Sequence, residues 1–213
     1  MNDATTRAPR LSLDDIVDLR AYERQRPHLL RRMLALKRHR RVAVGPRVTL
    51  VFESRDTIRF QVQEMARAEK MTTDAQIQAE IDIYNPLIPG RGELTATLFI
   101  ELTTRAELEE WLPKLLGIER AVELRLGDGD AAEFVRAEPE EAHEQQLTRE
   151  DVTPSVHYIR FRLTEEQVTR FATGPVVVAV DLPTYREHVG LSVDSRAELL
   201  GDLQSRETAG HIA

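Results

Sequence analysis

The clearest alternation in the chain is Val156-His157-Tyr158-Ile159-Arg160-Phe161-Arg162-Leu163, which predicts a strand with one buried face. Val48–Glu53 and Leu94–Ile100 are apolar and β-branched and predict two more strands. Val122–Leu126, the turn Gly127-Asp128-Gly129-Asp130 and Ala132–Val135 form a hairpin pattern. Val176–Val180 is almost wholly apolar and predicts a central strand. Between these runs the period changes to that of helices. Ser12 precedes a helix start at Leu13-Asp14-Asp15-Ile16, and Tyr22 to about Arg41 carries Leu29, Leu30, Met33, Leu34 and Leu36 at mainly helical spacing. Pro27 suggests a fresh helix there, and Gly45-Pro46 ends it. Residues 57–70 suit both periods; helix is favoured, with Thr57 as its cap. Further helices follow from Thr73-Asp74 to Tyr84, from Thr104 toward Gly117 across Pro113, from Thr164 with a capping-box start, and from Ser195 through Leu203.

These elements predict an α+β fold, with a helical N-terminal third followed by a mainly antiparallel sheet and packed helices. Residues 1–10 read as a disordered tail, and 11–206 as one domain with a helical part at 11–92 and a sheet-rich part at 93–206. Residues 137–151 read as a solvated acidic segment, and 207–213 should fray.

Composition narrows the chemistry. At 213 residues and 41% apolar the chain can build a sizeable core. No apolar run reaches the ~20 residues that cross a bilayer, so no membrane insertion is expected. The lack of Cys excludes disulfides, thiolate metal sites and a cysteine nucleophile. A charged fraction of 31% and the absence of a signal-peptide pattern point to a cytoplasmic protein. The net charge of −7 is unevenly spread, because residues 20–47 hold ten Lys/Arg against one acid, Glu23. Arg24, Arg31 and Arg38 lie seven apart and share a helical face, and with Arg41 they are the candidate partner-binding residues. Such a face serves an acidic protein, phosphates, the chain's own acidic segments through internal salt bridges, or only solvent. Nucleic acid is the less favoured partner, since no aromatics interleave the arginines.

Catalytic patterns are sparse. The six His never take the spacing that sets two metal ligands on one helical face, so no metal set is assigned. Ser155 and His157 point the same way in a strand but have no third group. Gln61 and Glu64 share one helical face, and Glu80 and Tyr84 another; with Glu69, and with His157 in the best strand, they make a candidate polar pocket. No catalytic residue and no cofactor follow from these patterns.

The same residues carry a resemblance. Phe52-Glu53, Thr57-x-x-x-Gln61-x-Gln63-Glu64-Met65-x-Arg67-x-Glu69, Glu80-x-Asp82-x-Tyr84-Asn85-Pro86-Leu87-Ile88-Pro89 and Glu93-Leu94-x-Ala96-Thr97-Leu98 resemble a bacterial family of unknown function, the domain-of-unknown-function family numbered 3501. Tyr22-Glu23-x-x-Arg26-Pro27 and residues 37–45 are similar to its start. Ser155-Val156-His157-Tyr158-x-Arg160-Phe161 and Asp181-x-Pro183-x-Tyr185 are similar to its second half, although Leu182 stands where the family leads one to expect His. The resemblance spans roughly residues 11–203 and implies no activity. It implies a setting beside rubrerythrin-like proteins and iron–sulfur reductase subunits of the heterodisulfide-reductase type. The first expectation is therefore an accessory protein of a bacterial redox or peroxide-response system that binds an iron–sulfur or di-iron partner. A metal-binding protein or enzyme using the pocket around Glu64 and Glu80 is the second, and nucleic-acid binding through the basic helix the third.

Overall fold

The computed structural model describes residues 10–129, 132–140 and 153–204. The tail at 1–9, most of the acidic segment and the last nine residues lie outside that range.

Two antiparallel sheets face each other. The first has the order β1-β2-β3-β7-β6, with β1 at Arg41–Val44, β2 at Val48–Phe52, β3 at Glu93–Ile100, β6 at Glu138–Pro139 and β7 at Val156–Arg162. The second has the order β5-β4-β8-β9, with β4 at Val122–Leu126, β5 at Glu133–Arg136, β8 at Val176–Leu182 and β9 at Tyr185–Gly190. Their facing sides bury Val48, Leu50, Phe52, Leu94, Leu98 and Phe161 from one sheet with Val122, Leu124, Val178 and Val180 from the other. Six α-helices are described: α1 Leu19–Arg40, α2 Arg55–Ala68, α3 Asp74–Tyr84, α4 Arg105–Trp111, α5 Glu165–Thr173 and α6 Val193–Gln204. The fold is α+β, as the periodicity predicts, and the predicted hairpin and central strand are present as β4–β5 and β8.

Several local expectations are corrected. Helix α1 runs through Pro27 without a break and starts at Leu19, where the Asp18 carboxylate accepts from the Ala21 amide at 3.0 Å. Pro27 is exposed, so water can satisfy the Glu23 carbonyl that loses its amide donor. Gly45-Pro46 is the turn of the β1–β2 hairpin rather than a helix stop. Gly45 has a φ of +72°, and a Cβ there would overlap Glu187 and the Tyr185 hydroxyl, which ties the first sheet to β9 by donating to the Val44 carbonyl at 2.7 Å. Strand β9 was not expected; its polar residues alternate outward on a sheet edge. Ser54, not Thr57, caps α2, and Thr57 closes the capping box from the third position. Ser192, not Ser195, caps α6, with its Oγ 3.0 Å from the Ser195 amide. Residues 13–15 make only a 3-10 turn, and α4 stops at Trp111, followed by short 3-10 turns on either side of Gly117.

The ends of the fold meet at Arg40. Its guanidinium is 3% exposed and bonds Glu198 and Asp202 of α6, each at 2.7 Å at closest, and the Glu53 carbonyl. Burial pushes the Asp202 carboxyl up despite the pull of that guanidinium. Replacing Arg40 by Ala leaves two carboxylates without their cation. The expected loss in urea unfolding is about 3–5 kcal/mol. Leu34→Ser, at an exposed α1 position, is the control and should stay within about 0.5 kcal/mol of wild type.

Candidate functional site

The outer side of the first sheet is polar although it is covered. Alternation sends Leu94, Ala96 and Leu98 of β3 into the inter-sheet core and Glu93, Thr95 and Thr97 toward α2 and α3. Arg160 and Tyr158 of β7 lie beside Thr95 and Thr97 in register. Each of these groups is satisfied. Thr95 donates to the Leu87 carbonyl at 2.6 Å, and Arg160 binds Glu93, Glu140 and the Pro86 carbonyl. Glu53, 9% exposed, receives hydroxyl hydrogens from Thr57 at 2.5 Å and Thr97 at 2.6 Å. Burial, with the Tyr84 hydroxyl and the Glu53 charge nearby, pushes the Tyr158 phenol up to about 12. This layer knits α2, α3 and the sheet together. A small apolar cluster of Ile58, Val62, Ile81, Leu87 and Ile88 packs over it.

The six residues of the expected polar pocket are dispersed around this layer. Glu64 points to α1, where it accepts from the Tyr22 hydroxyl at 2.5 Å and from both sides of the Arg26 fork at 2.8 and 2.9 Å. Those donors, led by Arg26, hold its carboxyl down at about 2. A carboxylate so held is a clamp between helices and a poor proton acceptor. Gln61 is half-buried one turn before it. Glu69, at the C-cap of α2, faces Glu80 of α3; burial first, and Glu69 second, raises the Glu80 carboxyl. Tyr84 joins Tyr158 under the sheet. His157 is next to Tyr158 in sequence and therefore on the opposite face. There its Nε2 lies 2.9 Å from Thr153 Oγ1 and its Nδ1 3.6 Å from Glu119. Thr153 is 3% exposed, so this hydroxyl–imidazole–carboxylate row stands in the interior. Among the described residues, no three His, Asp or Glu side chains converge as a metal set.

The basic helix divides cleanly. Arg26 and Arg40 turn inward to Glu64 and the α6 carboxylates, and Arg32 pairs with Asp56 at the exposed surface between α1 and α2. Arg41, at the start of β1, pairs with Glu101. Arg20, Arg24, Arg31 and Arg38 are exposed, and none has an ion-pair partner among the described residues. Together with Pro27 and Leu34 they form one stripe, spaced alternately four and three residues apart, on the side of α1 opposite Tyr22 and Met33. Leu34 in that stripe is 70% exposed.

The family model for proteins of unknown function (DUF3501) matches residues 10–203. The chain belongs to this family. The crystal structure of a novel protein of unknown function from Burkholderia pseudomallei K96243, at 1.90 Å resolution, is similar at 34% identity and a TM-score of 0.83. The match covers 92% of this chain and 100% of that one. No curated protein matches the sequence. DUF3501 membership thus agrees with the resemblance carried by the Gln61–Glu69 and Glu80–Pro89 stretches, and it assigns no site. What sequence reasoning missed is the Glu53–Thr97–Tyr158 and Glu93–Arg160 layer. Its signal is the polar half of the Glu-Leu-Thr-Ala-Thr-Leu alternation at 93–98.

The Glu64 clamp has a definite pH signature. Its folded pKa lies below the ordinary 4.5, so the stability it supplies is complete above that value and is lost as pH falls toward about 2. Glu64→Gln should be less stable than wild type by a constant margin from pH 7 to about pH 5, and the margin should shrink on further acidification. Urea unfolding across that pH series measures it. A margin independent of pH would show that the carboxylate charge is not what joins α1 to α2.

Proposed function

We propose that this DUF3501 protein is an accessory interaction protein. It docks an acidic iron–sulfur or rubrerythrin-like di-iron protein of a bacterial redox or peroxide-response system in the cytoplasm. The observation that carries this reading is the exposed stripe of Arg20, Arg24, Arg31 and Arg38 along α1, without internal carboxylates among the described residues, on a chain of net charge −7. A local field of that sign speeds encounter with an acidic surface and repels basic ones. Three sides of α1 are engaged with the fold or lie at its edges, and the fourth carries only this stripe. The redox setting comes from the family resemblance. No helix among the described residues is long and apolar enough to cross a membrane.

Tagged chain recovered from its native cell under mild, anaerobic conditions should bring an iron-containing protein with it, identified by mass spectrometry and its visible spectrum. Raising salt from 50 to 500 mM should weaken the capture. The double variant Arg31→Glu/Arg38→Glu should reduce it roughly tenfold or more, through the association rate, while unfolding stays within about 0.5 kcal/mol of wild type. Recovery of the chain alone overturns the reading. A steeply salt-dependent gel shift with nucleic acid, lost in the same double variant, would transfer the stripe to that ligand.

A further inference from the structure

Helix α1 carries two seams in one register. Tyr22, Arg26, Leu29, Met33, Leu36 and Arg40 follow one another at intervals of four and three residues and turn toward the fold. Tyr22, Met33 and Arg40 are buried, Leu29 and Leu36 are half-buried, and Arg26 holds Glu64. The outer stripe of Arg20, Arg24, Pro27, Arg31, Leu34 and Arg38 stands two positions before each of these, about 200° away round the helix. All of its residues are exposed. An interval averaging about 3.5 residues keeps a row of side chains along one line of a helix, with a drift of about 20° per heptad. Arg20 and Arg38 are therefore the ends of a line about 27 Å long, along which Arg24, Arg31 and Arg38 recur about every 10.5 Å. The line holds no acid. Glu23, the one carboxylate of α1, lies beside it and is drawn to Arg67 of α2 at 3.7 Å. Leu34, 70% exposed, sits between Arg31 and Arg38, one turn from each.

We infer that this outer seam seats an α-helix of the acidic partner, one with carboxylates seven residues apart and an apolar side chain between them set against Leu34. This rests on the docking reading above and adds to it the secondary structure and spacing of what docks. The charge is complementary, since the guanidinium groups of Arg20, Arg24, Arg31 and Arg38 have no ion-pair partner among the described residues. The repeat then selects the shape. A helix laid along α1 brings carboxylates seven residues apart to the same interval of about 10.5 Å, and a crossing of about 20° absorbs the drift along the line. An extended segment presents same-side groups about 6.6 Å apart and falls out of step with the guanidinium groups within one heptad. In step, each guanidinium takes a carboxylate as a two-bond fork, which fixes register as well as charge. Pro27 and Leu34, alternating with the arginines, mark where the facing helix needs no acid.

The test uses the full chain and fluorescein-labelled helical peptides of alanine and glutamine, followed by anisotropy. The first peptide carries glutamates seven residues apart over three heptads, with leucines between them on the same face. A second has the same composition with the glutamates spread round the helix, and circular dichroism checks that the two are equally helical. A third is the first with a central proline that breaks the helix. The expected result is saturable binding of the first peptide and at least tenfold weaker binding of the second and third. Leu34→Ser in the protein should weaken the first peptide several-fold and leave a version with alanine in place of leucine unaffected; the peptide series itself needs no variant. Equal binding of the first two peptides, both lost in Arg31→Glu/Arg38→Glu, overturns the helical seam and leaves the docking stripe standing. Failure of every peptide to bind at millimolar concentration, with the native partner still captured, also overturns the seam. Register-dependent binding with no partner recovered from cells keeps the seam and removes the redox assignment instead.

Discussion

Helix α1 is held to the rest of the chain largely by guanidinium and phenol groups, with little apolar surface. Over its 22 residues only Tyr22, Met33 and Arg40 are buried. Arg40 is the firmest of these points, since two carboxylates of α6 and a carbonyl at the end of β2 converge on one 3%-exposed fork. The attachment is directional. A hydrophobic stripe tolerates rotation and sliding, whereas bidentate guanidinium–carboxylate pairs fix both the rotation and the register of a helix. Fixing them determines which arginines face outward, so the outer stripe is a consequence of the inner pairs.

The same logic runs through the covered side of the first sheet. A layer of Thr, Glu, Arg and Tyr beneath helices costs stability unless every group finds a partner. Here the partners come from the helices and their connections: Thr57 from α2, the Leu87 and Pro86 carbonyls from the turn after α3. The inter-sheet core supplies the apolar burial, and the polar layer specifies how α2 and α3 sit on it. Because α2 carries Glu64 and Asp56 for the clamps to α1, the positions of the clamps trace back to Glu53 and Thr97. The His157 row lies on the other side of the sheet and takes no part in this chain of contacts.

Much of the fold was legible because the apolar side of each long strand repeats with period two. The elements that escaped are those whose pattern is short or split. Strand β1 is four residues beginning with Arg41, inside a run of basic residues that reads as helix. In β9 the polar residues of an edge strand dilute the alternation. Pro27 misled because its cost depends on whether water reaches the orphaned carbonyl, and exposure is a tertiary fact. For the site, the seven-residue spacing of Arg24, Arg31 and Arg38 gave the outer face correctly. It could not separate them from Arg26, Arg32 and Arg40, whose carboxylates lie 24 to 162 residues away. The pocket residues failed to converge for a similar reason. Helical arithmetic places Gln61 and Glu64 on one face, but the partner of that face proved to be α1, with α3 elsewhere.

A basic helix in an acidic protein ordinarily consumes its charge internally, and this chain has carboxylates to spare. Three of the seven α1 arginines do so, which makes the remainder informative. An exposed arginine near an available acid gains little from pairing, on the order of 0–1 kcal/mol, so leaving several unpaired costs the fold almost nothing. Retaining them on one stripe does cost colloidal symmetry, because it creates a patch opposite in sign to the rest of the surface. The inner pairs, in contrast, sit where α1 meets α2 and α6 and fix it to both. Inner pairs that fix the helix, beside outer arginines the fold does not need, are the combination expected, on the docking reading proposed above, where one face of α1 is kept for a second surface that supplies the missing carboxylates.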